Sequence, residues 1–181
     1  MLRIVIPASQ ELWDEKNECF LSGKEQVLQL EHSLLSVSKW ESKWNKAFLG
    51  KKEKTTEETI DYIRCMTLTQ NVDPSVYDRL TPENIKTIVD YIEAPMTATY
   101  FHNDKVMGRS LETVTSELIY YWMISLNIPF ECQKWHLNRL FALIRVCSMK
   151  NSPPKKMSKG EIMRRNRALN EARKQQLHTR G

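Results

Sequence analysis

Apolar residues recur three or four positions apart through much of the chain, and the clearest run is Leu34, Val37, Trp40, Trp44 and Phe48. A helix brings such positions onto one face. His32 to Leu49 is therefore predicted as a helix with both tryptophans in the core and with Ser38, Glu41, Ser42 and Lys43 mostly on the polar side. The same period predicts a second helix to about Leu68, capped by Thr55 or Thr56 with Glu58 as the capping-box partner and with Ile60, Ile63 and Thr67 inward. Ser75 to Leu80 reads as one helical turn. Thr81-Pro82-Glu83 has the N-cap, the first-position proline and the first-turn acid of a helix start. Ile85, Ile88, Val89 and Ile92 form its inward face, and Pro95 stops it. Two more apolar helices follow, Ser110 to Leu126 and Phe130 to Met149, joined closely enough to pair as an antiparallel hairpin.

Elsewhere the period changes. Leu2 to Ile6 is a β-prone run closed by Pro7, and Glu11 to Leu21 and Lys24 to Leu30 are extended candidates on either side of Ser22-Gly23. They predict a small N-terminal β-meander, with Trp13 and Phe20 packing it onto the body. Met96 to Arg109 reads as a loop or irregular hairpin around Asn103-Asp104 and Gly108.

Five glycines and seven prolines in 181 residues are few for an all-β chain, where every hairpin needs turn residues. The fold class is accordingly mainly α, a helical bundle with a small N-terminal β-meander and a protruding basic C-terminal helix. Asn151-Ser-Pro-Pro154 cannot continue a helix. It divides a globular body, 1–149 (a β-rich start over 1–30 and a helical core over 32–149), from a Pro-containing linker, 150–157, and a basic helical tail, 158–181. In that tail Ser158-x-x-Glu161 is a capping box, and Ile162, Leu169 and Leu177 give only a thin apolar stripe.

Charge sharpens this division. The net charge is +5, yet Lys150 to Gly181 holds ten basic residues against two acidic ones, so that segment carries +8 and the remainder −3. No stretch has a signal-like start, and Leu118 to Phe130 is too short to cross a bilayer, which predicts a soluble, cytoplasmic protein without membrane contact. Cys19, Cys65, Cys132 and Cys147 form no CxxC pair and read as reduced thiols.

Candidate chemistry is sparse. There is no Gly-rich phosphate loop, no HExxH and no nucleophile elbow, so no catalytic, cofactor-binding or metal residue is expected. Cys132 and His136 would sit side by side on one helix, but two ligands do not complete a metal site, and the pair reads as a buried thiol near a core histidine. Glu57, Glu58 and Asp61 suit the first turns of a helix better than they suit acid–base work. What remains is binding: Lys39 and Lys43 on the polar edge of the first helix, and Lys155, Lys156, Lys159, Arg164, Arg165, Arg167, Arg173 and Lys174 in the tail. The tail cations would neutralise phosphates of a nucleic acid, order on an acidic protein partner, or form a solvated tail that keeps the protein soluble.

The phrases LEHSLLSVSKWESKWNKAFL, TEETIDYIRCMTLTQNVDPSVYDRLT and PPKKMSKGEIMRRNRALNEARKQQ resemble a group of small proteins encoded among the tail genes of long-tailed bacteriophages of Gram-positive hosts, the tail assembly chaperones among them. The resemblance implies a mostly helical, non-enzymatic protein that binds the tape measure protein and tail-tube subunits in the host cytoplasm and is absent from the finished particle. Such chaperones are often made in a second, frameshifted form. The resemblance transfers no functional residue. Two alternatives stay open, a permanent component of the virion neck or tail and a nucleic-acid-binding protein acting through the basic helix, as does self-association.

Overall fold

The computed structural model describes residues 1–8, 12–14, 19–21, 24–50, 52–101, 113–152 and 158–177, with the backbone alone at 12–14 and 19–21. It is mainly helical, with a small antiparallel N-terminal sheet and a C-terminal helix. The chain divides into two compact units, Met1–Ser148 and Met149–Gly181.

In the first unit β1 (Leu2–Ile6) pairs antiparallel with β4 (Gln26–Leu30), and β2 (Leu12–Asp14) pairs with β3 (Cys19–Leu21). Leu2 faces Leu30, and Leu12 faces Leu21. The four strands are thus nested pairs, where a meander would join each strand to the next. Alternation does the expected work in the outer pair: Ile4, Ile6, Leu28 and Leu30 are buried while Val5 and Gln29 face out. The side chains of Trp13 and Phe20 lie outside the described residues.

α1 (Leu34–Trp44) is the centre of the body; α2 (Thr56–Met66), α4 (Ser116–Ser125) and a 3₁₀ turn (Phe130–Lys134) all pack on it. Leu34, Val37, Trp40 and Phe48 are buried, although the helix stops earlier than the stripe does. Asn45 adopts the left-handed conformation at φ 50° and returns its N–H to the Glu41 carbonyl, which ends α1 at Trp44. Phe48 then reaches the same core from the following loop, stacked on Tyr62 at 3.9 Å and edge-on to Trp40 at 5.2 Å. Trp40 is 1% exposed, and its indole N–H donates to the Glu58 carbonyl at 2.8 Å. Trp44 is half-buried.

α2 begins at a full Thr55–Glu58 capping box. Its end joins β4: Glu31 N–H donates to Met66 O at 2.9 Å, and Leu68 N–H to Gln29 O at 2.8 Å. After a 3₁₀ turn (Pro74–Arg79), α3 (Pro82–Glu93) lies on β1. Its orientation differs from the expected one. Ile88 is buried, but Ile85 and Val89 are 38% and 43% exposed, because Asn84 and Tyr91 turn toward the body to bond Val5 O and Glu31.

Two helix starts also depart from the periodicity. The fourth helix begins at Ser116, and residues 113–115 are not helical; the expected start at Ser110 and most of 96–109 lie outside the described residues. The expected Phe130–Met149 helix is broken at Trp135-His136, and α5 (Leu137–Asn151) starts beyond the break. The reason is tertiary. His136 forms a β-bridge with Ser33, and Leu137 N–H donates to His32 O at 2.7 Å, which holds this backbone extended. Because the 3₁₀ turn intervenes, α4 finds its main helix packing on α1, and the expected α4–α5 hairpin is not the dominant contact.

Candidate partner-binding surfaces

Of the ten cations expected to meet a partner, Lys39 and Lys43 belong to the first unit. They lie one turn apart on α1, and both are exposed. Lys43 is already engaged, since its ammonium pairs with the buried Asp61 carboxylate of α2, which also accepts the Trp44 indole N–H at 2.9 Å. Burial opposes the charge on Asp61, but the bonds from Lys43 and Trp44 outweigh it and hold the carboxyl below its ordinary range. Lys46 pairs in the same way with Glu58, whose carboxyl is lowered first by Lys46 and then by the Thr55 N–H. Lys43 and Lys46 stand 5.9 and 5.8 Å from the Trp44 ring centroid.

Lys43, Trp44 and Asp61 help line a groove of about 560 Å³ between α1 and α2, with Trp44 and Ile60 as its apolar part and Lys43, Asp61, Arg64 and Asp78 around them. Its charges are mixed, and Lys43 and Asp61 among them are paired. Glu58 and Asp61, read from the sequence as first-turn acids, thus serve as anchors for lysines of the preceding segment. The spacing of Trp44 and Asp61 gave no sign of their meeting.

The remaining cations belong to the second unit. Lys155 and Lys156 lie outside the described residues. Lys159, Arg164, Arg165, Arg167, Arg173 and Lys174 are carried on α6 (Lys159–Leu177). Its start is a capping box: Glu161 N–H donates to Ser158 Oγ at 3.2 Å, and Ser158 N–H to the Glu161 carboxylate at 2.9 Å. Arg167 and Glu171 form an exposed i,i+4 pair at 3.2 Å. No residue of α6 is buried. Ile162 and Leu169, seven positions apart on one face, are 44% and 45% exposed, and Met163 and Leu177 more so. Arg165 and Arg173 flank that face at helical spacing.

Cys132 and His136 do not share a helix. Cys132 lies in the 3₁₀ turn and His136 in the extended break after it, so the i,i+4 juxtaposition does not form. Among the described residues no group of three or more His, Cys, Asp or Glu side chains gathers as a metal site would need. No helix of the described residues is long and apolar enough to cross a membrane.

Sequence periodicity missed two buried polar centres. Glu41, placed on the solvent side of the α1 stripe, is 7% exposed; its carboxylate accepts Phe48 N–H and Ser116 N–H, each at 2.7 Å. The other is His32, whose ring lies 5.1 Å from that of His136; His136 itself is buried, as a core histidine was expected to be. No family model, curated protein or solved structure matches this chain.

Proposed function

We propose that this chain is a non-enzymatic interaction protein of phage tail morphogenesis, an assembly chaperone that uses α6 to hold its clients. The observation that carries the reading is α6 itself: nineteen residues, capped at the start, with none buried. An isolated helix of this length is marginal in water, and most helices in proteins are stabilised by a packed face. Ile162 and Leu169 flanked by Arg165 and Arg173 suit a groove that is apolar at its floor and acidic at its rim. The choice of tape measure and tail-tube proteins as clients rests on the sequence resemblance alone.

Co-expression with those two proteins tests it. The full chain is expected to keep them soluble and to co-purify with them, and a chain ending at Asn151, or carrying Ile162→Asp with Leu169→Asp, is expected to do neither. Unchanged co-purification of both variants would remove α6 from the interaction. Stoichiometric recovery of the chain from purified particles would favour the permanent virion component instead.

Nucleic-acid binding is the second reading, supported by the six cations of α6. It predicts that random duplex DNA binds with affinity falling steeply with salt, and that Asn151 truncation abolishes binding. The aromatic residues that stack bases are absent from α6.

A further inference from the structure

His32 and His136 meet where β4, α1, α2, α3 and α5 converge. His32, between β4 and α1, is 3% exposed, and its Nδ1 is hydrogen-bonded to the Tyr62 hydroxyl of α2. Its ring stands edge-on to that of His136, itself 5% exposed. His136 Nδ1 accepts the backbone N–H of Asn138 at 3.3 Å. That bond leaves the proton of the neutral ring on Nε2, where it donates to the Tyr91 carbonyl near the end of α3 at 3.0 Å. The imidazole therefore does the work of an N-cap side chain at the start of α5. Asn138 completes the junction, its Nδ2 donating to Ile92 O and Ala94 O at 2.9 and 2.8 Å.

The other titratable and charged groups facing the pair come from each neighbouring element. Tyr62 belongs to α2, with Cys65 and Glu41 acting on it in turn. Tyr91 belongs to α3, and its ring is 4.9 Å from His136. Glu31 comes from the β4–α1 junction; it accepts the Tyr91 hydroxyl at 2.8 Å and pairs with the ammonium of Met1, just before β1, at 2.9 Å. Glu31 is thus already compensated by that ammonium, and Arg139 of α5 is drawn over Trp135.

We propose that the two histidines are an acid-sensitive latch, in which protonation unfastens the start of α5 and the end of α3 from the β4–α1 junction while β1–β4 and α1–α2 stay assembled. A proton on His136 Nδ1 removes the acceptor for Asn138 N–H and sets a positive charge at a helix N-terminus, where the dipole opposes it. A proton on His32 places a cation among Phe48, Tyr62 and the second imidazole. Burial first, and then His136, depress His32 to about 4; burial likewise pushes His136 down. The closed latch is therefore favoured at pH above the ordinary imidazole value near 6.5 and loses that support as pH falls from there toward 4. Uptake of two protons on opening makes the equilibrium change by up to about 100-fold per pH unit in that window.

Hydrogen exchange on the full chain, corrected for intrinsic rate, tests this between pH 7 and 4.5. Amides at 137–140 and 91–94 are expected to lose protection before those of β1, β4 and α1. In His136→Asn, which keeps a capping acceptor but cannot take the proton, the pH dependence is expected to fall to about 10-fold per unit. One-step loss of protection across the whole body, or an unchanged slope in the variant, overturns the latch. If the variant does not fold, imidazole C–H shifts of the wild-type chain decide: both rings must titrate below the ordinary imidazole value, and titration of either near 6.5 is fatal to the proposal. Nothing here depends on α6, so this result and that of the client experiment are independent.

Discussion

Glu41 joins two segments that are far apart in the chain. Its two oxygens receive Phe48 N–H and Ser116 N–H, the first from the loop that closes α1 and the second from the first residue of α4. Thr115, the N-cap of α4, makes no side-chain cap bond, and Glu41 supplies the acceptor and the negative charge that a helix N-terminus favours. Glu41→Gln keeps the shape but turns one acceptor into a donor facing a backbone N–H. We expect a loss of about 2 kcal/mol in urea unfolding followed by tryptophan fluorescence. The exposed neighbour change Ser42→Ala should stay within about 0.5 kcal/mol. Among the described residues the buried hydroxyl of Ser116 has no partner at full hydrogen-bond geometry, with only the adjacent Glu117 carboxylate drawing on it. Ser116→Ala should therefore be neutral or raise stability by up to about 1 kcal/mol, and a clear loss would mean the hydroxyl has found a partner. Neither role was legible in the sequence: helical period assigned Glu41 to water, because what buries it arrives 75 residues later.

At the scale of elements, the starts that could be read are those whose caps are local. Thr55–Glu58 and Thr81 with Pro82 lie within one turn of their helices. The starts of α4 and α5 were not legible, since their caps come from Glu41 and from an imidazole held by Ser33 and His32. The same limit explains α3. Periodicity identified its apolar residues, but the direction they face was set by Asn84, whose Oδ1 accepts at the Thr81 cap while its Nδ2 donates to Val5 O at 3.2 Å. Asn84→Ala removes both and should cost about 1–2 kcal/mol; Asn84→Asp keeps the cap acceptor and should cost about half as much. Equal losses in the two variants would show that the strand tie, and not the cap, carries the effect.

At the scale of the whole molecule, the helix of the C-terminal unit and the packed body draw their order from different terms. The helix of the C-terminal unit was legible because its signals are short-range, a capping box and a run of strong helix formers. Its folded population in the absence of a partner depends on those local terms, since α6 buries no residue. Capping is worth about 1 kcal/mol and one exposed i,i+4 pair about 0.3–0.5 kcal/mol, amounts that matter for a marginal helix and little for a packed body. Ser158→Ala combined with Glu161→Ala should accordingly lower the helical circular dichroism of the full chain, and Glu171→Gln, which removes the charge partner of Arg167, should lower it less. The urea midpoint reported by Trp40 and its neighbours should not move in either case. A shift of that midpoint by more than about 0.5 kcal/mol equivalent would mean that the stability of Met1–Ser148 depends on α6. An unchanged midpoint with reduced helicity, together with weaker client retention in the co-expression experiment, would identify helix order in α6 as the quantity that the proposed client binding draws on.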